Sequence, residues 1–262
     1  IGSGPAGLTC ANDLIRLGYG VTIFEKLPFA GGMLTAGIPS FRLPRQIINK
    51  EIEAITDLGV EIKTGIDVGK DIGFDELENQ GYKAFFLAIG THQGLKLNVP
   101  GENDFEGFID CVDFLRKVNS GDLRKPGRKV IIIGGGNSAI DASRTALRLG
   151  CDEVYIVYRR SRKEMPANVS EIEEAEKEGV KIHYLAAPVK ILGKGKKVTG
   201  MECIKMRLGE PDASGRRKPL PLEGSEFIIE ADTIIPAISQ KPDISFLPKN
   251  HEFKLSKWDT FE

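Results

Sequence analysis

Two glycine clusters and the charges that follow them carry the chemistry legible in this chain. Gly2, Gly4 and Gly7 match G-x-G-x-x-G, and Gly134, Gly136 and Ala139 match G-x-G-x-x-A. In such a cluster the first glycine permits a tight turn. The second lets backbone N–H groups approach a pyrophosphate, and the third small residue lets the following helix pack closely. The phosphates then lie at the positive end of the helix dipole. The clusters differ in the charge found about 20 residues further on, where such units read a ribose. After the first comes Glu25, whose carboxylate accepts hydrogen bonds from both ribose hydroxyls and repels a 2′-phosphate. After the second come Arg159, Arg160 and Arg162, whose guanidinium forks match a phosphate dianion. The residues therefore predict two different dinucleotides, FAD or NAD beside Glu25 and NADP(H) beside Arg159 and Arg160.

Each cluster needs a turn, a helix and a strand to hold it. Residues 5–17 have helical apolar spacing closed by Gly18, and 21–25 form a short β-branched strand. In the second unit 130–133 predict a strand, 138–149 a helix closed by Gly150, and 154–158 the next strand. Between the units, "VEIKTG" and "YKAFFLAIGT" predict strands and "LNVPGEN" a linker. Beyond them, "SEIEEAEKEG" predicts a helix opened by a Ser170–Glu173 capping box, with its acidic face in solvent. The remainder alternates strands and turns, with "KGKK" at an exposed hairpin tip. The fold class that follows is α/β, with two Rossmann-like dinucleotide-binding domains.

Composition excludes several partners. Among 262 residues, 36 basic and 37 acidic side chains are well mixed, which leaves no electrostatic footprint for nucleic acid or an anionic membrane. The longest apolar runs fall far short of the roughly 20 residues that span a bilayer. Cys10, Cys111, Cys151 and Cys203 are scattered, with no C-x-x-C and no metal-ligand spacing. They predict a cytoplasmic chain with reduced thiols and argue against a disulfide reductase with an adjacent cysteine pair. His92, His183 and His251 stand alone, and structural roles are expected for them. No residue is singled out as a catalytic acid or base, and no metal ligands are.

The blocks "GSGPAGLTCANDLIRLGYGVTIFEK", "GGMLTAGIPSFRLP", "FLAIGT", "VPGEN", "GGGNSAIDASRTALRLG", "VYRRSRKEMPA" and "AISQKPD" follow one another across nearly the whole chain. With them the chain resembles the NADPH-dependent glutamate synthase small-subunit family. Dihydropyrimidine dehydrogenase and electron-bifurcating ferredoxin:NADP oxidoreductases contain similar modules. The resemblance implies an FAD domain whose first part is 1–100, an inserted NADP(H) domain over 101–238, and a return to the FAD domain over 239–262. It implies FAD contacts from Gly2, Gly4, Pro5, Ala6, Gly7, Glu25, Lys26, Gly32, Met33 and Arg42, with Val68 near the adenine and Gly90 and Thr91 closing the site. It implies NADPH contacts from Gly135, Gly136, Asn137, Ser138, Arg159 and Arg160, with Ala237, Ile238 and Ser239 at the turn back. From the residues alone, Arg42 suits either an anion or a surface salt bridge. Ser239 stands where the family carries glycine.

The implied reaction passes a hydride from NADPH to FAD and then electrons to iron–sulfur clusters. Those [4Fe-4S] clusters are expected only outside this segment, on a missing domain or a partner subunit. The chain reads as a fragment of the family's length, since only Ile1 precedes the first glycine turn. Alternatives are an NADH-linked or electron-bifurcating member of the same family, or a nucleotide-binding module without turnover.

Overall fold

The apolar spacing of the first helix sets the first layer. In the computed structural model, which describes residues 1–123, 125–213, 215–247, 253–256 and 260, the chain divides into two units. One comprises Ile1–Gln93 with the described part of Gln240–Glu262, and the other Gly94–Ser239.

In the first unit, α1 (Pro5–Arg16) starts directly on the glycine turn, with proline in its first turn where no N–H is needed. Gly18, at φ +89°, lets the chain turn out of the helix. Strand β1 (Thr22–Glu25) pairs in parallel with β2 (Glu61–Thr64), in register from Thr22 opposite Glu61 to Glu25 opposite Thr64. Helices α2 (Met33–Ala36) and α3 (Arg45–Thr56) lie between them in sequence, and α4 (Phe74–Asn79) follows. Adjacent strand residues point to opposite faces. Ile23 accordingly packs with Leu8, Ala11 and Val60, while Phe24 packs with Val68 and Leu77.

The segment "YKAFFLAIGT", expected as a strand, is not one: residues 82–91 form no ladder. Ile1 N donates to Phe86 O at 2.7 Å and Ala88 N to Ile1 O at 2.8 Å.

The chain passes to the second unit at β3 (Gln93–Gly94) and returns at β11 (Gln240–Lys241). The second unit opens with α5 (Cys111–Asn119), capped where Asp110 accepts from Asp113 N at 3.0 Å. Then come β4 (Lys129–Ile133), α6 (Asn137–Arg148), β5 (Glu153–Tyr158), α7 (Val169–Glu178) and β6 (Lys181–Tyr184). With β10 (Thr233–Pro236) they build a parallel sheet in the order β10-β4-β5-β6. The continuous apolar run of β4 is what burial on both faces requires. Val130 and Ile132 face the helix side, among Phe114, Ile140 and Ile172. Ile131 and Ile133 face the other side, against an antiparallel sheet of β7 (Ala186–Lys194), β8 (Lys197–Pro211) and β9 (Arg217–Glu230). The unit is thus three layers thick, and the strand order reverses at β4.

Helix α7 departs from expectation twice. Its N-cap is Asn168, so Ser170 lies inside the helix and forms no capping box. The earlier start is fixed from outside, because Asn168 N donates to Asn137 Oδ1 at 3.1 Å. Nor does its acidic face belong to solvent: Glu171 and Glu178 close on Arg144 at 2.7 and 2.8 Å, and the half-open Glu174 does so at 2.8 Å. A cation on the packed face of α6 is buried only when acids from the facing helix surround it.

Candidate functional site

The first glycine turn is built by steric necessity. Gly2 has φ +98°, and a Cβ there would lie 2.4 Å from Ala88 O. A Cβ on Gly7 would lie 2.0 Å from Gly2 O, so α1 can approach the turn only with glycine at this position. Gly4 differs, because the nearest atom to its missing Cβ is Gly32 Cα at 3.9 Å. Gly4 is also the N-cap of α1, extended and without a side-chain cap, which leaves the N–H groups of the first turn for an anion. Pro5 and Ala6 are exposed beside it.

Glu25 ends β1 with its carboxylate buried and already oriented. Its Oε2 accepts from Ser3 N at 2.8 Å and from Ser3 Oγ at 2.6 Å, while Oε1 accepts from Leu27 N at 2.7 Å. Ser3 also receives Gly31 N on its Oγ and on its carbonyl, both at 3.1 Å. Through Gly31 the second glycine pair folds onto the first turn, and a Cβ on Gly32 would come within 2.6 Å of Gly4 Cα. Sequence reasoning missed Ser3, a variable position in the motif. It missed Arg45 as well, which donates to Leu34 O at 2.8 Å and to Ile38 O at 2.7 Å and so braces the loop after Gly32.

The other residues named for this site are placed as follows. Lys26 is exposed and pairs with Asp67 at 2.9 Å. Met33 begins α2, and its methyl end occupies the space beside Gly37. Arg42 is half-buried in the turn after Pro39. Val68 is buried with Phe24 and Leu77, so its backbone alone is left to face a ligand. Gly90, at φ +64°, is exposed with half-buried Thr91 next to it. The distances join Gly2, Gly4, Gly7, Gly32 and Glu25 in one cradle. Uncapped amides, open space at Gly4 and a fixed carboxylate fit the pyrophosphate and ribose of an FAD adenosine half.

The second turn stands at the carboxyl end of β4, where the strand order reverses and ligands of open α/β sheets bind. A Cβ on Gly134 would lie 2.3 Å from Ala237 O, and one on Gly135 would lie 2.5 Å from the Tyr158 ring. Gly136 again is open, with nothing within 4 Å, and is the uncapped N-cap of α6. Ala139 is fully buried behind it. The segment after β5 is strapped across this turn. Tyr158 Oη donates to Glu164 O at 2.6 Å, and Ala167 N donates to Gly135 O at 3.1 Å. Exposed Asn137 lends its Oδ1 to the same strap, while half-buried Ser138 accepts from the Cys111 thiol at 3.7 Å on its carbonyl. Ala237 N donates to Ile133 O at 2.8 Å, exposed Ile238 follows, and Ser239 O accepts from Leu95 N at 3.0 Å.

The two arginines at the strand tip diverge. Arg159 is exposed, with no side-chain partner among the described residues. Arg160, expected beside it at the phosphate, is buried: its Nε donates to Arg217 O at 2.8 Å and its Nη2 meets Asp212 at 2.5 Å. Both lie in the bend that follows β5, and there only the Arg159 side chain is open to a ligand. Arg162 pairs with Glu176.

All four cysteines are free. Burial pushes the Cys203 thiol up to about 12, and burial raises Cys111 and Cys151 as well. His183 is half-buried beside Tyr155 and Phe227, and burial lowers its pKa. His92 lies near Gly90, and His251 is outside the described residues. Among the described residues no group of acids, histidines and cysteines could hold a metal, and no helix is long and apolar enough to cross a membrane.

The chain is similar to known proteins in sequence and in fold. The NADPH-Fe(3+) oxidoreductase subunit beta of Geobacter sulfurreducens (strain DL-1 / KN400) is 48% identical over 99% of this chain, which spans 39% of its length. The glutamate synthase [NADPH] small chain of Escherichia coli is 36% identical over 92% of this chain, which spans 53% of its length. Mycobacterium tuberculosis FprA in complex with NADPH shares the fold, with a TM-score of 0.80 at 20% identity, over 97% of this chain and 72% of that one. The likeness to the glutamate synthase small subunits, expected from the sequence blocks, is therefore found, and the chain spans about half or less of the length of these curated relatives. Residues 1–262 match the pyridine nucleotide-disulphide oxidoreductase family throughout, and the chain belongs to that family of FAD-dependent NAD(P)H oxidoreductases.

Proposed function

We propose that the chain is the NADPH-to-FAD module of a larger oxidoreductase, in which Ile1–Gln93 with its return segment holds FAD and Gly94–Ser239 holds NADPH. The observation that carries this reading is the contrast between the strand tips: a buried carboxylate at Glu25 and, at Arg159, an exposed guanidinium with no side-chain partner among the described residues. Glu25 accepts from the hydroxyls of a plain adenosine ribose. Arg159 forms charge-assisted hydrogen bonds with a 2′-phosphate.

When bound, the flavin supplies the redox chemistry, accepting a hydride from the nicotinamide. The protein's share is binding and orientation. Amides at Gly4 and Gly136 begin two helices that neutralise the two pyrophosphates, and Ser3 fixes the acceptor side of Glu25. Gly2, Gly7 and Gly134 hold the turns close to the backbone behind them. No side chain moves a proton in this account. Electrons then leave toward iron–sulfur clusters on a further domain or a partner subunit in the cytoplasm. The Geobacter and Escherichia relatives, named as a subunit and a small chain, support the presence of a partner subunit.

A purified protein that is yellow, and that NADPH bleaches without oxygen, is the expected result. A colourless protein that still binds NADPH would identify a nucleotide-binding module without turnover. A family name that includes disulphide does not alter the reading, because none of the four cysteines is disulfide-bonded and Cys111, Cys151 and Cys203 are buried.

A further inference from the structure

The hairpin of β8 and β9 reaches the tip of β5, and nothing in the motif reading accounts for that. Asp212 lies in the turn at the hairpin's end, where its N–H donates to Arg216 O at 2.8 Å and its carbonyl accepts from Gly215 N at 2.9 Å. From there its carboxylate meets Arg160, a guanidinium only 5% exposed, while Asp212 itself is 30% exposed. Arg160 Nε is taken by the Arg217 carbonyl on the facing strand. The Arg217 side chain in turn donates to Gly209 O at 3.1 Å and Leu208 O at 2.9 Å, so the hairpin end is braced by its own atoms.

The backbone is tied at the same point. Arg160 O accepts from Leu185 N at 3.1 Å, and Leu185 O accepts from Met206 N on β8 at 2.7 Å. Leu185 has φ +54°, a left-handed conformation that a branched side chain adopts only where its surroundings impose it. It forms the corner between β6 of the parallel sheet and β7 of the antiparallel one. The strand tip, the strained corner and the hairpin end therefore form one hydrogen-bonded unit about Arg160.

We infer that Asp212 and Arg160 are positioning residues for nicotinamide-dinucleotide selectivity, holding the backbone so that Arg159 faces the 2′-phosphate. Arg159 has no side-chain partner among the described residues, so its direction depends on the backbone that carries it. That backbone is held one residue later by Arg160. In the bend that follows β5, Arg160 is fixed inward while Arg159, one residue before it, is exposed. A strut alone needs no charge, since apolar packing holds segments as well or better. A fork held by one carboxylate and one carbonyl fixes direction as well as distance. The inference rests on the proposed role of Arg159.

The test measures KM and kcat for NADPH and for NADH by flavin bleaching in the full-length, flavin-loaded protein. Asp212→Ala, Asp212→Asn and Arg159→Ala are compared. Asp212→Ala is expected to raise KM for NADPH roughly three- to tenfold, a fraction of a lost charged hydrogen bond, with kcat unchanged and KM for NADH within about twofold. Asp212→Asn, whose amide oxygen still accepts from Arg160, is expected to recover part of the loss. Equal rises for both dinucleotides would make the pair merely structural and overturn the inference, as would no rise at all. If Arg159→Ala separates the two dinucleotides and Asp212→Ala does not, the inference falls and the site reading stands. If Arg159→Ala separates nothing, the site reading falls and the inference with it. Should Asp212→Ala lose its flavin, Arg160→Lys, which keeps the charge without the fork, reads the same ratio.

Discussion

Ser3 donates both its backbone N–H and its hydroxyl to a single oxygen of Glu25, at 2.8 and 2.6 Å, and is itself fully buried. The variable position inside the first glycine motif thus locks the carboxylate to which the adenosine ribose is assigned. Ser3→Ala removes a hydroxyl that serves Glu25 and Gly31 together. A loss of about 1–3 kcal/mol in urea unfolding is expected, with faster flavin loss on dialysis. Unchanged stability and flavin content would contradict the role.

Arg159→Ala is expected to weaken NADPH binding by about 1–3 kcal/mol, as for a hydrogen bond between charged groups, and to leave NADH binding as it was. Titration of each dinucleotide measures this directly. Equal losses would remove the 2′-phosphate from the account.

The open and closed glycines of the second turn separate folding from binding. Gly136→Ala adds a Cβ that meets no protein atom, so the melting temperature is expected to hold while NADPH affinity falls. Gly135→Ala drives a methyl into the Tyr158 ring, and a stability loss of about 1–3 kcal/mol is expected. A Gly136→Ala protein that binds NADPH normally would place the pyrophosphate elsewhere.

Acid should weaken the grip of α7 on α6. Hydrogen bonds from Arg148 and then Arg144 lower the Glu178 carboxyl from 4.5 to about 2. A carboxylate with a depressed folded pKa contributes stability that is complete above its unfolded pKa and fades as pH falls through the folded one. The contribution of Glu178 is therefore expected to vanish between pH 4.5 and about 2. Arg148→Met should flatten the fall of the melting temperature across that window, and an unchanged slope would contradict the coupling.

Thiol chemistry gives an independent check on electron flow. Cys111, Cys151 and Cys203 are buried with raised pKa values, and only Cys10 is partly exposed. One fast-reacting thiol per native chain is expected with a disulfide reagent, whether or not NADPH is added. New thiols after reduction would point to a disulfide reductase.

The glycine turns were legible because the motif spacing itself carries the steric requirement: Gly7 would strike the Gly2 carbonyl within the same motif, whereas the carbonyls that exclude a side chain at Gly2 and Gly134, those of Ala88 and Ala237, come from far along the chain. The helices and strands next to them followed from apolar spacing for the same reason. What escaped was decided at long range. The start of α7 is set by Asn137 and its acidic face by Arg144. Arg159 and Arg160 look equivalent in sequence. Only a hairpin turn some fifty residues away, at Asp212, tells them apart.

The most direct measurement is anaerobic stopped-flow bleaching of the bound flavin by NADPH and by NADH, in the full-length protein. Fast bleaching by NADPH and slow bleaching by NADH at equal concentration is the predicted result, because Arg159 has a 2′-phosphate to hold only in the former. Equal or faster bleaching by NADH would contradict the account, reducing the strand-tip arginine to a solvated charge and making the module NADH-linked.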